Sequence, residues 1–197
     1  FLTRNVFISI LGNEYLSLTG LFMNILSVLS LAELGFGSAM LFHFYEPLAK
    51  GDQERVKMLI HLYKKIYQIV ALFIFIFGMA LIPFLKYFVT KKPDIDENMY
   101  FIYILFVFQS VLTYFWVYKK SILVADQNEY IATRITSVMS LILMVLQIIA
   151  LYITRNFVVY CVTGMVVSIS TNLLISNRVN KLYPYIREKD RLPVDQD

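Results

Sequence analysis

The stretch ITSVMSLILMVLQIIALYITRNFVVYCVTGMVVSISTNLLISN, Ile135 to Asn177, carries one charged residue, Arg155. On either side of it lie two uncharged windows, Ile135 to Thr154 and Asn156 to Asn177. A helix rises 1.5 Å per residue, so about 20 residues cover the roughly 30 Å of a bilayer's hydrocarbon core. Each window is therefore long enough to cross, and Arg155-Asn156 is expected to form the tight hairpin between them. Working outward, Met99 to Tyr118 and Ile66 to Leu85 repeat the pattern. A fifth window, Tyr15 to Ala32, runs through Glu33 into Leu34 to Tyr45. The opening run Val6 to Leu11 is too short to span alone and reads as the tail of an earlier span. The expectation is an all-α polytopic bundle of about six spans over residues 1–177, with 178–197 a charged juxtamembrane tail or linker.

Composition agrees. Hydrophobic residues make up 58% of the 197-residue chain and charged residues only 16%, with a mean hydropathy of +0.64. Soluble domains carry about 25% charged residues. The net charge of +4 sits in short clusters between apolar runs, so it reads as a topology signal and not as a nucleic-acid surface. Cys161 is the sole cysteine, which excludes an intrachain disulfide and a cysteine-based zinc site.

The joints are short and polar. Asn13-Glu14 separates the first two segments. Pro47 and Gly51 are expected to break the chain before Asp52 caps a new helix. Lys91-Lys92-Pro93-Asp94 to Asn98 reads as a turn-rich loop, and Lys119 to Arg134 as a link between spans. Counting basic residues on alternate sides places Lys50, Arg55, Lys57, Lys64, Lys65, Lys119, Lys120, Arg134, Arg178, Lys181, Arg187, Lys189 and Arg191 together, thirteen of the 18. The positive-inside rule assigns that side to the cytoplasm.

Polar residues inside the apolar segments are the candidates for function. Ser17, Gly20, Asn24, Ser27, Ser30, Glu33 and Gly37 recur every three or four positions, which is one helical face. Hydrocarbon offers an Asn or Glu no partner, so this face is expected to look into protein or water. Small residues on it also suit helix packing. Gly35 and Gly37 beside Glu33 suit a bend or a close contact. Weaker faces pair Gln109 with Thr113, Ser137 with Ser140 and Gln147, and Gly164 with Ser168 and Asn172. Arg4 reads either as snorkelling to the interface or as holding an anionic headgroup. Lys64-Lys65 and Lys119-Lys120 read as topology determinants before lipid contacts. No enzyme site is legible. His43 and His61 lack the i, i+4 pairing of a helical metal site, Asp94, Asp96 and Glu97 read as solvated loop, and no metal or other cofactor is implied.

GNEYLSLTGLFMNILSVLSLAELGFGSAM (Gly12 to Met40), EPLAKGD (Glu46 to Asp52) and YKKSILVADQNEYI (Tyr118 to Ile131) together resemble the bacterial polysaccharide flippases, O-antigen and teichoic-acid types included, of the multidrug/oligosaccharidyl-lipid/polysaccharide exporter superfamily. Ser17 departs from the glycine such a motif would carry. The resemblance implies one lobe, the N-terminal one, of a two-lobe transporter in the bacterial cytoplasmic membrane. Its expected partners are membrane lipid, a second lobe missing from this chain, and an undecaprenyl-diphosphate-linked oligosaccharide substrate, with no nucleic acid. It also places Arg4, Asn24 and Glu33 among cavity-lining residues, joined by Gln109, Gln147 and Asn172 from the polar faces. The alternatives are a cation-coupled multidrug exporter of the same superfamily, with Glu33 as its ion site, a membrane-embedded sugar or acyl transferase, and a non-catalytic scaffold.

Overall fold

Gly12, Gly51 and Arg155 mark three of the places where the backbone reverses, with φ of 88°, 68° and 48°. Positive φ is free for glycine and uncommon for arginine, so the tight connection after Thr154 holds Arg155 in a left-handed C-cap. The computed structural model describes residues 2–30, 34–89 and 95–187. Among these, every regular element is helical. In chain order they are α1 (Leu2–Leu11), α2 (Asn13–Ser30), α3 (Leu34–Lys50), α4 (Gln53–Ala80), a 3-10 turn at Ile82–Phe84, α5 (Leu85–Phe88), α6 (Met99–Ala125), α7 (Glu129–Thr154), α8 (Phe157–Leu182) and a last 3-10 turn at Pro184–Arg187. Glu33, Lys91, Lys92, Asp94 and the tail from residue 188 lie outside the described residues.

Three helix starts follow side-chain caps. Asp52 Oδ1 accepts from the Arg55 amide at 3.0 Å, Asn98 Oδ1 from Tyr100 at 2.9 Å and Asn156 Oδ1 from Val159 at 3.1 Å. Each satisfies one of the amides that a helix leaves unpaired at its first turn. Pro47 does not break its helix: α3 continues to Lys50, and Gly51 ends it. Proline costs a helix its hydrogen bond to the preceding turn, but here only one turn remains after it.

Four helical segments among the described residues are long and apolar enough to cross a membrane: Gln53–Phe88, Met99–Ala125, Glu129–Thr154 and Phe157–Leu182. Their most apolar stretches have mean hydropathies of 2.5, 1.7, 2.2 and 1.9, and only 11–22% of each such stretch is buried inside the protein. Apolar surface on that scale needs lipid around it. The chain is an all-α, multi-pass membrane protein. Six spans were expected. α1 has 10 residues, α3 has 17 with a polar Glu46–Lys50 end, and α2 has the length but a face of Ser, Asn and Gly.

α6 is the central post, packed by α2, α3, α4, α7 and α8. Its neighbours meet it in two apolar layers. One, toward the Lys-rich end, gathers Phe44, Ile60, Tyr63, Tyr118, Ile122 and Val179. The other, toward the Gly12 and Arg155 turns, gathers Phe7, Tyr15, Phe22, Tyr103, Phe157 and Cys161. Rings pack edge-on within the second, with Phe7 and Tyr160 centroids 5.0 Å apart and Phe22 and Tyr103 5.2 Å apart, the arrangement that the quadrupole of an aromatic ring favours. α4 and α6 pack tightly at Gly78, where a Cβ would stand 3.1 Å from Val107 Cγ1. There the Tyr103 hydroxyl donates to the Gly78 carbonyl at 3.0 Å.

Candidate polar sites of the helix bundle

α2 divides cleanly into two faces. Tyr15, Leu18, Phe22 and Leu26, spaced by three and four, are buried against the rest of the bundle. Ser17, Gly20, Asn24 and Ser27 occupy the opposite face and are exposed. The serines satisfy themselves: Ser17 Oγ donates to the Asn13 carbonyl at 3.0 Å and Ser27 Oγ to the Asn24 carbonyl at 2.8 Å, the usual way a hydroxyl is tolerated in an apolar medium. The Asn24 side chain makes no hydrogen bond among the described residues. An amide moved into a medium without hydrogen-bonding groups costs about 4–8 kcal/mol, so this face belongs against protein or water. At the far end of α2 the Tyr15 hydroxyl donates to Glu97 and accepts from the Asp96 amide at 3.2 Å, tying the helix to the segment that precedes α6.

A second polar group lies between α6, α7 and α8. Gly164 on α8 is buried, and a Cβ there would stand 3.5 Å from Gln147 Nε2 and 4.0 Å from Gln109 Nε2. Two amides from two neighbouring helices thus converge on a third helix at its glycine. One turn along, Gln109 and Thr113 line a cleft with Ser168 and Asn172 that is too tight to hold a water molecule. The three weak polar faces are therefore partly one seam. Ser137 and Ser140 are not in it; they are exposed on α7, and Ser140 Oγ donates to the Thr136 carbonyl at 2.8 Å.

Of the expected site residues, Gln109, Gln147 and Asn172 come together around α8, while Arg4 and Asn24 sit on exposed faces of α1 and α2. Arg4 stands eight residues before Gly12, about 12 Å along the helix from that turn and in the first turn of α1. Glu33 lies outside the described residues, and Gly35 is described only as helix. Among the described residues no group of His, Cys, Asp and Glu is arranged to hold a metal.

The Lys-rich end holds contacts that sequence reading missed. Lys119 Nζ donates to Ser176 Oγ at 2.7 Å and Asn180 Oδ1 at 2.9 Å, so this lysine clamps α6 to α8 instead of facing lipid. The i, i+4 spacing of Ser176 and Asn180 was the available signal, because it puts two acceptors one above the other. Beside it, the Tyr183 hydroxyl donates to Asp126 Oδ2 at 2.5 Å and Asn128 Nδ2 donates to the same oxygen at 2.9 Å. Burial and then the hydrogen bond to Asp126 push the Tyr183 phenol above its ordinary 10.0. A raised phenol keeps its proton through pH 10.0, so this contact is complete across the physiological range and is lost only when pH rises through the raised value.

Replacing Lys119 with methionine keeps the stem and removes the donor. It leaves Ser176, which is buried, and Asn180 without their shared partner, and a hydrogen bond to a charged group is worth about 1.5–3 kcal/mol. Unfolding of the purified protein in detergent should show a loss of that size, whereas Lys120→Met, at an exposed position, should change it little.

No family model, curated protein or solved structure matches the chain.

Proposed function

We propose that this chain is one lobe of a flippase that moves lipid-linked oligosaccharide repeat units, carried on undecaprenyl diphosphate, across the bacterial cytoplasmic membrane. The observation that carries the proposal is Asn24: an amide at mid-helix, on an exposed face, with no hydrogen-bonding partner among the described residues. Lipid is a costly neighbour for it, and a hydrated hollow closed by a second lobe is a suitable one. The sequence likeness of Gly12 to Met40 to polysaccharide flippases supports the same assignment by analogy.

On this proposal the α2 face forms half of the hollow, and the two lobes rock about it to open each side in turn. Asn24 offers a donor and an acceptor to sugar hydroxyls, a pairing with little selectivity among sugars. Arg4, two turns down α1 from the Gly12 turn, supplies a guanidinium of the kind that grips phosphate through two parallel hydrogen bonds. The isoprenoid tail stays in the bilayer, beside the apolar faces of α4 and α7. The basic end faces the cytoplasm, where the lipid-linked substrate is made.

The test is leaflet-resolved transport. The full-length protein is placed in vesicles with a fluorescent lipid-linked oligosaccharide, and an impermeant quencher reports the fraction in each leaflet. Movement well above that of protein-free vesicles is expected; a rate equal to theirs overturns the proposal.

A further inference from the structure

Between the start of α7 and the last turns of α8 lies a groove of 510 Å³, lined by Tyr130, Ile131, Arg134, Ile135, Arg178 and Leu182. Arg134 stands five residues into α7, and Arg178 four before the end of α8. By helical rise both are about 6–8 Å from the ends of their helices, and both line the same groove. Both are exposed, and neither has a carboxylate within ion-pair distance among the described residues. The nearby acids are engaged elsewhere: Asp126 holds Tyr183 and Asn128, and Glu129 Oε1 is 3.9 Å from Lys120 Nζ. Two cations lining one groove, on helices long and apolar enough to cross the membrane, leave an anionic requirement that the described residues do not meet.

We propose that this groove is a binding site for the phosphate of an anionic phospholipid, a resident lipid of the membrane and not the transported one. The guanidinium fork matches phosphate geometry and is more weakly hydrated than an ammonium, so it gives up water readily at the interface. Ile131, Ile135 and Leu182 wall the groove with apolar surface for the first carbons of the acyl chains. Tyr130, exposed at the end of α7, sits where aromatic side chains meet the headgroup layer. Phosphatidylglycerol satisfies all three demands, inorganic phosphate only the first.

Native mass spectrometry of the full-length protein, released from mild detergent after equilibration with one lipid at a time, reads occupancy directly. Phosphatidylglycerol is expected to be retained in preference to phosphatidylcholine, and millimolar inorganic phosphate is expected not to displace it. Each basic residue near an anionic surface contributes about fivefold to binding, so Arg134→Gln with Arg178→Gln should weaken retention about 30-fold. Lys64→Gln with Lys65→Gln, which removes as much charge from the same end of the bundle, should leave it within about twofold. If the double arginine variant does not fold, Arg178→Gln alone should show the fivefold loss. Equal retention of the two lipids, displacement by inorganic phosphate, unchanged binding in the arginine variant, or an equal loss in the lysine variant would each overturn the site. None of these outcomes depends on transport.

Discussion

On the proposed function, Asn24→Leu combined with Ser27→Leu should abolish most transport while leaving the helix bundle folded. Both residues are on the exposed face of α2, opposite the buried Tyr15, Leu18, Phe22 and Leu26, so the leucines displace nothing within the lobe. Ser27 Oγ bonds only its own helix at the Asn24 carbonyl, and losing that bond costs little. If the face lines a wet hollow, two leucines dry it and strip the amide from the path of a polar headgroup. A lost hydrogen bond of about 1.5 kcal/mol at the barrier already slows passage about tenfold. Dewetting adds to that, and the combined variant should fall by at least about tenfold in the leaflet assay. Thermal unfolding in detergent should be unchanged. The opposite pairing, full transport with raised stability in bilayers, is what lipid-facing positions would give, and it would remove the main support for the proposed function.

The largest structural effect is expected at Gly164. An added Cβ would sit 3.5 Å from Gln147 Nε2 and 4.0 Å from Gln109 Nε2, ordinary contact distances, so Gly164→Ala should fold normally. Beyond that atom there is no room. The cleft next to it has no space for even a water molecule, and α8 is packed there by both α6 and α7. Gly164→Leu must push both amides aside, an overpacking penalty of about 1–3 kcal/mol. Each amide that loses a partner in the bundle adds about 1–3 kcal/mol. A loss of about 3 kcal/mol or more is expected for leucine against less than about 1 kcal/mol for alanine, measured by denaturant unfolding in micelles. Near-equal stabilities would mean that α8 can shift away from α6 and α7 at little cost.

The membrane class was legible from one-dimensional information because it depends on run length. Uncharged windows of about 20 residues occur by composition alone, and four of them lie within helices that meet the requirement for crossing. Helix ends were less legible. α4 begins at Gln53, α6 runs on to Ala125, α7 begins at Glu129 and α8 runs to Leu182, each past basic residues taken as loop or tail. Lys64, Lys65, Lys120, Arg134 and Arg178 are exposed on these helices, since a long cationic side chain reaches water while its backbone stays hydrogen-bonded in the helix. The cap residue Asp52 was readable because its chemistry is local.

The polar seam was only half readable. Spacing placed Gln109 with Thr113 and Gly164 with Ser168 and Asn172, which is a property of one helix. That Gln109 and Gln147 both point at Gly164 depends on how three helices are rotated about their own axes, and sequence periodicity does not set one rotation against another. The clamp of Lys119 on Ser176 and Asn180 escaped for the same reason. Asn24 and Arg4 were identifiable as polar residues in apolar helices; the direction they face relative to the lobe was not.

The sole thiol, Cys161, is buried in the apolar layer with Phe7, Tyr15 and Phe157. A maleimide dye needs solvent access to the sulfur, so the unaltered chain should behave as though it were cysteine-free toward such reagents. Single cysteines placed at Ser17, Gly20 or Ser27 can therefore be labelled one by one without first removing Cys161, and the rate at which each reacts becomes a ruler for water along α2.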